Sequence, residues 1–80
     1  MSLSPEKKAG NTLRRLIQEN YATQEDFAYE YGADLRTISR YINNGINKVN
    51  IIQELALFFG VAFTDFFPNE EDDKNRPANL

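Results

Sequence analysis

The stretch TQEDFAYEYGADLRTISRYI, from Thr23 to Ile42, decides how this chain folds. Thr23 followed three residues later by Asp26 is a helix-start signal. The Thr hydroxyl can accept from the Asp26 amide, and Asp26 approximates the Glu or Gln that completes a capping box. Phe27, Ala28 and Tyr31 then share one helical face, and Gly32 supplies the left-handed residue that ends the helix. Two residues on, Asp34 is positioned to cap a further helix in which Ile38, Tyr41 and Ile42 look inward. Two short helices joined by a glycine-containing turn make a helix-turn-helix.

Helical periodicity continues on both sides. Upstream, Ser4-Pro5-Glu6 offers an N-cap, a proline at the first helical position and an acidic first turn. Ala9, Leu13, Leu16, Ile17 and Asn20 follow at helical spacing, so a helix is expected from about Glu6 or Ala9 to Asn20, with Gly10 weakening its first turns. Downstream, Asn43-Asn44-Gly45 breaks the chain and Ile46 to Val49 form a loop. Another helix is expected from about Asn50 to Phe59, burying Ile51 or Ile52 with Leu55, Ala56 and Phe59 and stopping at Gly60. Thr64 is placed to cap a last short turn holding Phe66 and Phe67, closed by Pro68. The expected fold is all-α, a compact five-helix domain.

Composition bounds the function. Eighty residues make one domain, near the lower size at which a hydrophobic core holds without disulfides or metals. The absence of Cys and His removes thiol nucleophiles, imidazole bases and zinc fingers, so an enzyme is not expected, nor a metal or cofactor. No apolar run approaches the roughly 20 residues of a membrane span and no signal segment leads the chain, so a cytoplasmic protein without membrane contact is expected. Met1-Ser2-Leu3 reads equally as a native start or an expression remnant.

The net charge of −3 is unevenly distributed. Up to Phe67, seven basic residues face eight acidic ones, while the remainder carries Glu70-Glu71-Asp72-Asp73 against Lys74 and Arg76. Residues 68–80 have almost no apolar side chains and read as a flexible, solvated acidic tail; the other reading is an acidic segment that imitates DNA. Residues 1–8 read as an extension or the start of the first helix, and 9–67 as the domain.

Gln24 to Gly32, Ala33-Asp34, Thr37-Ile38-Ser39-Arg40 and Leu55-Ala56 to Phe59-Gly60-Val61, in that order, resemble the Cro/XRE-type family of phage-repressor-like DNA-binding domains. The likeness spans Ala9 to Phe67 and includes the 18-position spacing from Ile42 to Gly60. It implies a repressor-like helix-turn-helix that binds double-stranded DNA and regulates transcription, with its third helix in the major groove. By the same resemblance, Gln24, Leu35, Arg36 and Arg40 fall on groove-contact positions. Arg can pair bidentately with guanine, Gln can pair with adenine or with phosphate, and Leu can pack on a thymine methyl. Thr23, Asn43, Asn44, Asn47 and Lys48 fall where the family touches phosphates. Each has a plainer reading: Thr23 and Asp34 as caps, Asn44 and Gly45 as turn residues, and Arg36 and Arg40 as solvated surface or partners of an acid on the second helix.

Departures from the family pattern carry their own expectations. Tyr21 stands where a helix-ending Gly is common, which would shift the left-handed residue to Asn20. Ala22 is small where Leu is usual. Ile17 and Ile42 stand where many relatives carry a buried Arg and Glu, so both are expected inside the helix 1 to helix 3 interface. Members commonly pair two-fold on palindromic sites, so a homodimer is expected. Leu57, Phe58, Phe63, Phe66 and Phe67 are its candidate interface, unless these aromatics are all core. Tyr29 reads as an isolated exposed aromatic or part of a protein contact. The alternative function is a protein-interaction domain on a helix-turn-helix that no longer binds DNA, motivated by the acidity. No small-molecule ligand is expected.

Overall fold

The computed structural model describes residues 3–68, and these form an all-helical globule: α1 (Pro5–Asn20), α2 (Gln24–Tyr31), α3 (Leu35–Asn44), α4 (Val49–Phe59) and a 3₁₀ turn (Phe63–Phe66). The α-helices among the described residues number four, not five; the fifth expected helix is the 3₁₀ turn. Only four residues lie between Ala62 and Phe67, too few for more than one turn. The acidic segment from residue 69 onward lies outside the described residues. No helix among them is long and apolar enough to cross a membrane.

Local sequence sets most of the boundaries. Ser4 accepts from the Lys7 amide through its hydroxyl at 3.2 Å, and Pro5 opens α1. The helix begins there and not at Ala9, because capping and a proline at N1 outweigh the propensity cost of Gly10. Its end departs from expectation: Asn20 stays helical, Tyr21 is extended at φ −136°, and no described residue other than glycine has positive φ. The Asn20 side chain donates to the Leu16 carbonyl at 2.8 Å, which satisfies one of the last-turn acceptors without a left-handed residue. Gly32 is left-handed as expected and closes α2; Gly60, where the helix was expected to stop, is left-handed too and closes α4. Asn44 completes α3, so the break falls on Gly45 alone. The 3₁₀ turn is capped from Asp65, whose carboxylate accepts from the Ala62 amide at 3.1 Å, and not from Thr64.

Ala9, Leu13, Ile17, Phe27, Ile38, Ile42, Ile46, Ile52, Leu55 and Phe66 are among the side chains of one buried core. Ile17 and Ile42 are both inside it, on helices that pack together, as the paired apolar exchange requires. Of the two isoleucines opening α4, Ile52 is buried and Ile51 half-buried. Ala22 is exposed, so its small size leaves no hole in the core. Phe27 is the hub: its ring meets Tyr21 edge-on at 5.4 Å, stacks on Tyr31 and Phe59 at 5.3 Å each, and meets Phe58 edge-on at 5.7 Å. These geometries join α2 to α4 beyond simple area burial. Thr12 is buried and donates its hydroxyl to the Phe66 carbonyl at 3.4 Å, tying the 3₁₀ turn to α1.

Two glycines allow α1 to lie against the end of α3. A Cβ at Gly10 would collide with the Tyr41 carbonyl oxygen and come within 3.3 Å of Gly45 Cα and the Ile42 carbonyl. Gly45, at φ +100°, faces the Glu6 backbone, where a Cβ would stand 2.7 Å from the Glu6 carbonyl oxygen. That same oxygen accepts from the Ile46 amide at 3.0 Å. Gly10→Ala, which in an ordinary helix interior stabilises by about 0.5–1 kcal/mol, is expected here to destabilise by about 1–3 kcal/mol through overpacking. A urea midpoint at or above that of the parent chain would show that the helices part freely at this point.

Candidate nucleic-acid interface

The outer surface of α3 is built by elimination. Ile38 and Ile42, one turn apart, turn inward, which leaves Arg36 and Arg40, also one turn apart, on the opposite and exposed side. Neither arginine makes a hydrogen bond or ion pair among the described residues; the one salt bridge there joins Arg15 to Glu19 at 3.3 Å. The expected alternative, an arginine paired to an acid on α2, is therefore not what the structure contains. Leu35, in the first turn, is 42% exposed, and Gln24, at the start of α2, is half-buried. Thr23 is exposed beside it and accepts from the Asp26 amide at 3.0 Å. Asp34 occupies the N-cap position of α3, but its side chain makes no capping hydrogen bond, which corrects the capping expectation. Its carboxylate is solvated at the end of the helix that carries Arg36 and Arg40.

Arg40, Asn44, Asn47 and Lys48 converge. They line an open cleft of about 610 Å³ whose floor includes Gly45, Ile46 and Ile51 and whose far wall is the start of α1, with Ser4, Glu6 and Lys7. Asn43 is exposed one residue before this rim, and its carbonyl accepts from Lys7 Nζ at 3.0 Å. A lysine at the C-terminal end of a helix is favoured there by the helix dipole. Three cations, Lys7, Arg40 and Lys48, thus share a cleft with one carboxylate, Glu6. Sequence spacing assigned Lys7 to an extension or a first turn and missed it as a site residue, since residue 7 meets residue 43 only after folding. Thr23, Gln24, Leu35 and Arg36 are not part of this cleft; they lie at the starts of α2 and α3.

Electrostatic perturbation lies elsewhere. Hydrogen bonding to Glu30, with some burial and the Glu30 charge, raises the Tyr21 phenol above its ordinary value. Burial first, then the charge and hydrogen bond of Glu54, does the same for Tyr31. Neither tyrosine lines the cleft.

The five aromatic and aliphatic side chains expected at a dimer interface divide. Phe66 is 0% exposed and fills the core, so it is unavailable to a partner. Its ring is inward because the 3₁₀ turn folds back on α1 through the Thr12 hydrogen bond. Phe63 and Phe67 are half-buried against the core and contact each other at 5.3 Å. Leu57 and Phe58 remain at the surface, 82% and 40% exposed.

Comparison of the chain with protein-family models, with curated proteins and with solved structures gives no match.

The two caps separate cleanly in energy. Thr23→Ala is expected to cost about 1 kcal/mol, the typical value of a lost N-cap bond. Asp34→Ala should stay within about 0.5 kcal/mol, as for a surface residue without a specific contact. Equal losses in denaturant titrations of the two variants would assign Asp34 a capping role after all.

Proposed function

We propose that the chain is a sequence-specific double-stranded DNA-binding regulator of transcription, a repressor-like helix-turn-helix of the Cro/XRE type in which α2 and α3 form the motif. The observation that carries this reading is the pair of unengaged arginines, Arg36 and Arg40, on the outer side of a helix whose other side is anchored in the core. An anchored helix with free guanidinium groups suits insertion in the major groove and bidentate pairing with guanine. Leu35 adds an apolar contact suited to a thymine methyl, and Gln24 an amide suited to adenine or to phosphate. Thr23, Asn43, Asn44, Asn47 and Lys48 flank this helix as small polar or cationic groups suited to phosphate oxygens. The described residues are close to charge-neutral, so affinity in this reading depends on locally gathered cations and on two half-sites bound at once.

Selection of duplexes from a random library supplies the preferred site. On it, Arg40→Ala is expected to cost about 1–3 kcal/mol and relax specificity at one base pair. Lys48→Ala should weaken all duplexes about equally and lower the slope of log affinity against log salt by about one. Retention on duplex DNA that does not respond to salt, or no enrichment in the selection, would refute DNA binding and favour the second reading. That reading, a protein-interaction domain, is supported by Tyr29, Leu57 and Phe58 standing exposed on α2 and α4.

The regulator is proposed to act as a homodimer through the face of α4 carrying Leu57 and Phe58. Leu57→Glu, which lies outside the aromatic hub, should convert a dimer to a monomer in sedimentation and abolish half-site cooperativity, leaving helix content intact. A parent chain that sediments as a monomer at high concentration yet binds one half-site tightly would overturn this arrangement.

A further inference from the structure

The cleft between α1 and the end of α3 has a counter-charge within the same chain. Phe67 borders a small hollow together with Pro5, Glu6, Ile46 and Asn47. Glu6, Ile46 and Asn47 also line the cleft that holds Lys7, Arg40 and Lys48. Phe67 thus stands next to this cleft, while Pro68, the last described residue, borders a separate hollow beside Arg15. Two residues after Pro68 the chain enters Glu70-Glu71-Asp72-Asp73, four consecutive carboxylates. At about 3.3–3.6 Å per extended residue, the five steps from Pro68 to Asp73 span up to roughly 17–18 Å.

We propose that the acidic run Glu70 to Asp73 seats in the cleft of Lys7, Arg40 and Lys48 and competes there with DNA phosphate, so that the chain carries its own inhibitor. The competition half of this inference rests on the DNA-binding reading; the seating half does not.

Charge complementarity selects this seat over the other hollow near the chain's exit. Pro68 borders a concavity with Arg15, but that arginine is already paired to Glu19, and Glu19 and Asp65 both line the space. The net charge there repels a carboxylate run. In the cleft, Arg40 and Lys48 have no carboxylate partner among the described residues, and Glu6 is the one acid present. Asn44 and Asn47 add side-chain amide donors on the same wall. A short tether holds the run at an effective concentration in the millimolar range, so a weak local affinity suffices to fill the seat. Occupancy of about nine-tenths lowers the apparent affinity for duplex about tenfold.

The test compares the full chain with a variant whose tail is neutral, Glu70→Gln, Glu71→Gln, Asp72→Asn and Asp73→Asn, which alters no residue of the core. Amide NMR spectra are expected to differ at Gly45, Asn47 and the side-chain amide of Asn44, and the difference should vanish in 1 M NaCl or in a Lys48→Ala background. Unchanged cleft signals, or changes centred on Arg15, would overturn the seat. With the selected duplex at low salt, the neutral variant should bind about tenfold tighter. That gain should shrink strongly with Lys48→Ala and persist with Arg15→Ala. An equal gain in every background would mean diffuse repulsion and would overturn the competition. Cleft shifts accompanied by no duplex binding from either chain would uphold the seat while refuting the DNA-binding reading itself.

Discussion

The backbones of α1 and the end of α3 lie in contact, and the rest of the fold is arranged around that approach. Gly10 gives up a side chain so that the Tyr41 and Ile42 carbonyls can come close, and Gly45 does the same toward Glu6. A hydrogen bond from the Ile46 amide to the Glu6 carbonyl and one from Lys7 Nζ to the Asn43 carbonyl fasten the two strands of this junction. The lysine bond satisfies one acceptor at the end of α3 that would otherwise need water or a cap. The close approach also brings Ile46 into the core directly after the helix, so the loop from Gly45 to Lys48 is held at its base while Asn47 and Lys48 stay at the surface.

That junction fixes the orientation of α3. With Ile38 and Ile42 committed to the core, the outward side is left to Arg36 and Arg40, and rotation of the helix would bury a guanidinium at a cost of several kcal/mol. The aromatic hub around Phe27 holds α2 on the other flank, by ring contacts to Tyr31 and to Phe58 and Phe59 of α4. A surface anchored from two sides loses little entropy when it meets a rigid partner, which favours recognition by a pre-formed face.

Charge in this molecule is organised by position and hardly at all by total. The described residues nearly balance, yet the cleft gathers three cations around one carboxylate, while Glu25, Asp26 and Glu30 fall on α2. At physiological ionic strength fields fade within about 8 Å, so such local groupings decide what can approach a given face. Net charge alone would have argued against an anionic partner, whereas the distribution leaves one side open to it.

The elements whose signals lie within about four residues of one another were legible from sequence: the Ser4 and Thr23 caps, the left-handed glycine at 32, the helix stop at Gly60, and the inward stripe of α3. Caps and periodicity are local chemistry, and neighbours along the chain suffice to specify them. The same holds for Arg36 and Arg40, outward by simple opposition to Ile38 and Ile42. What the sequence could not decide depended on residues far apart along the chain. Gly10 reads as a weak point in a helix until the Tyr41 carbonyl is seen against it. Lys7 becomes a cleft residue only by meeting Asn43, 36 positions on, and Phe66 turns from surface candidate to core through a bond to Thr12, 54 positions back. Pattern fixes which face of each helix is apolar; the packing of helices chooses which apolar residues are covered and which polar ones are brought together, because burial is a property of the assembled core and not of any segment within it.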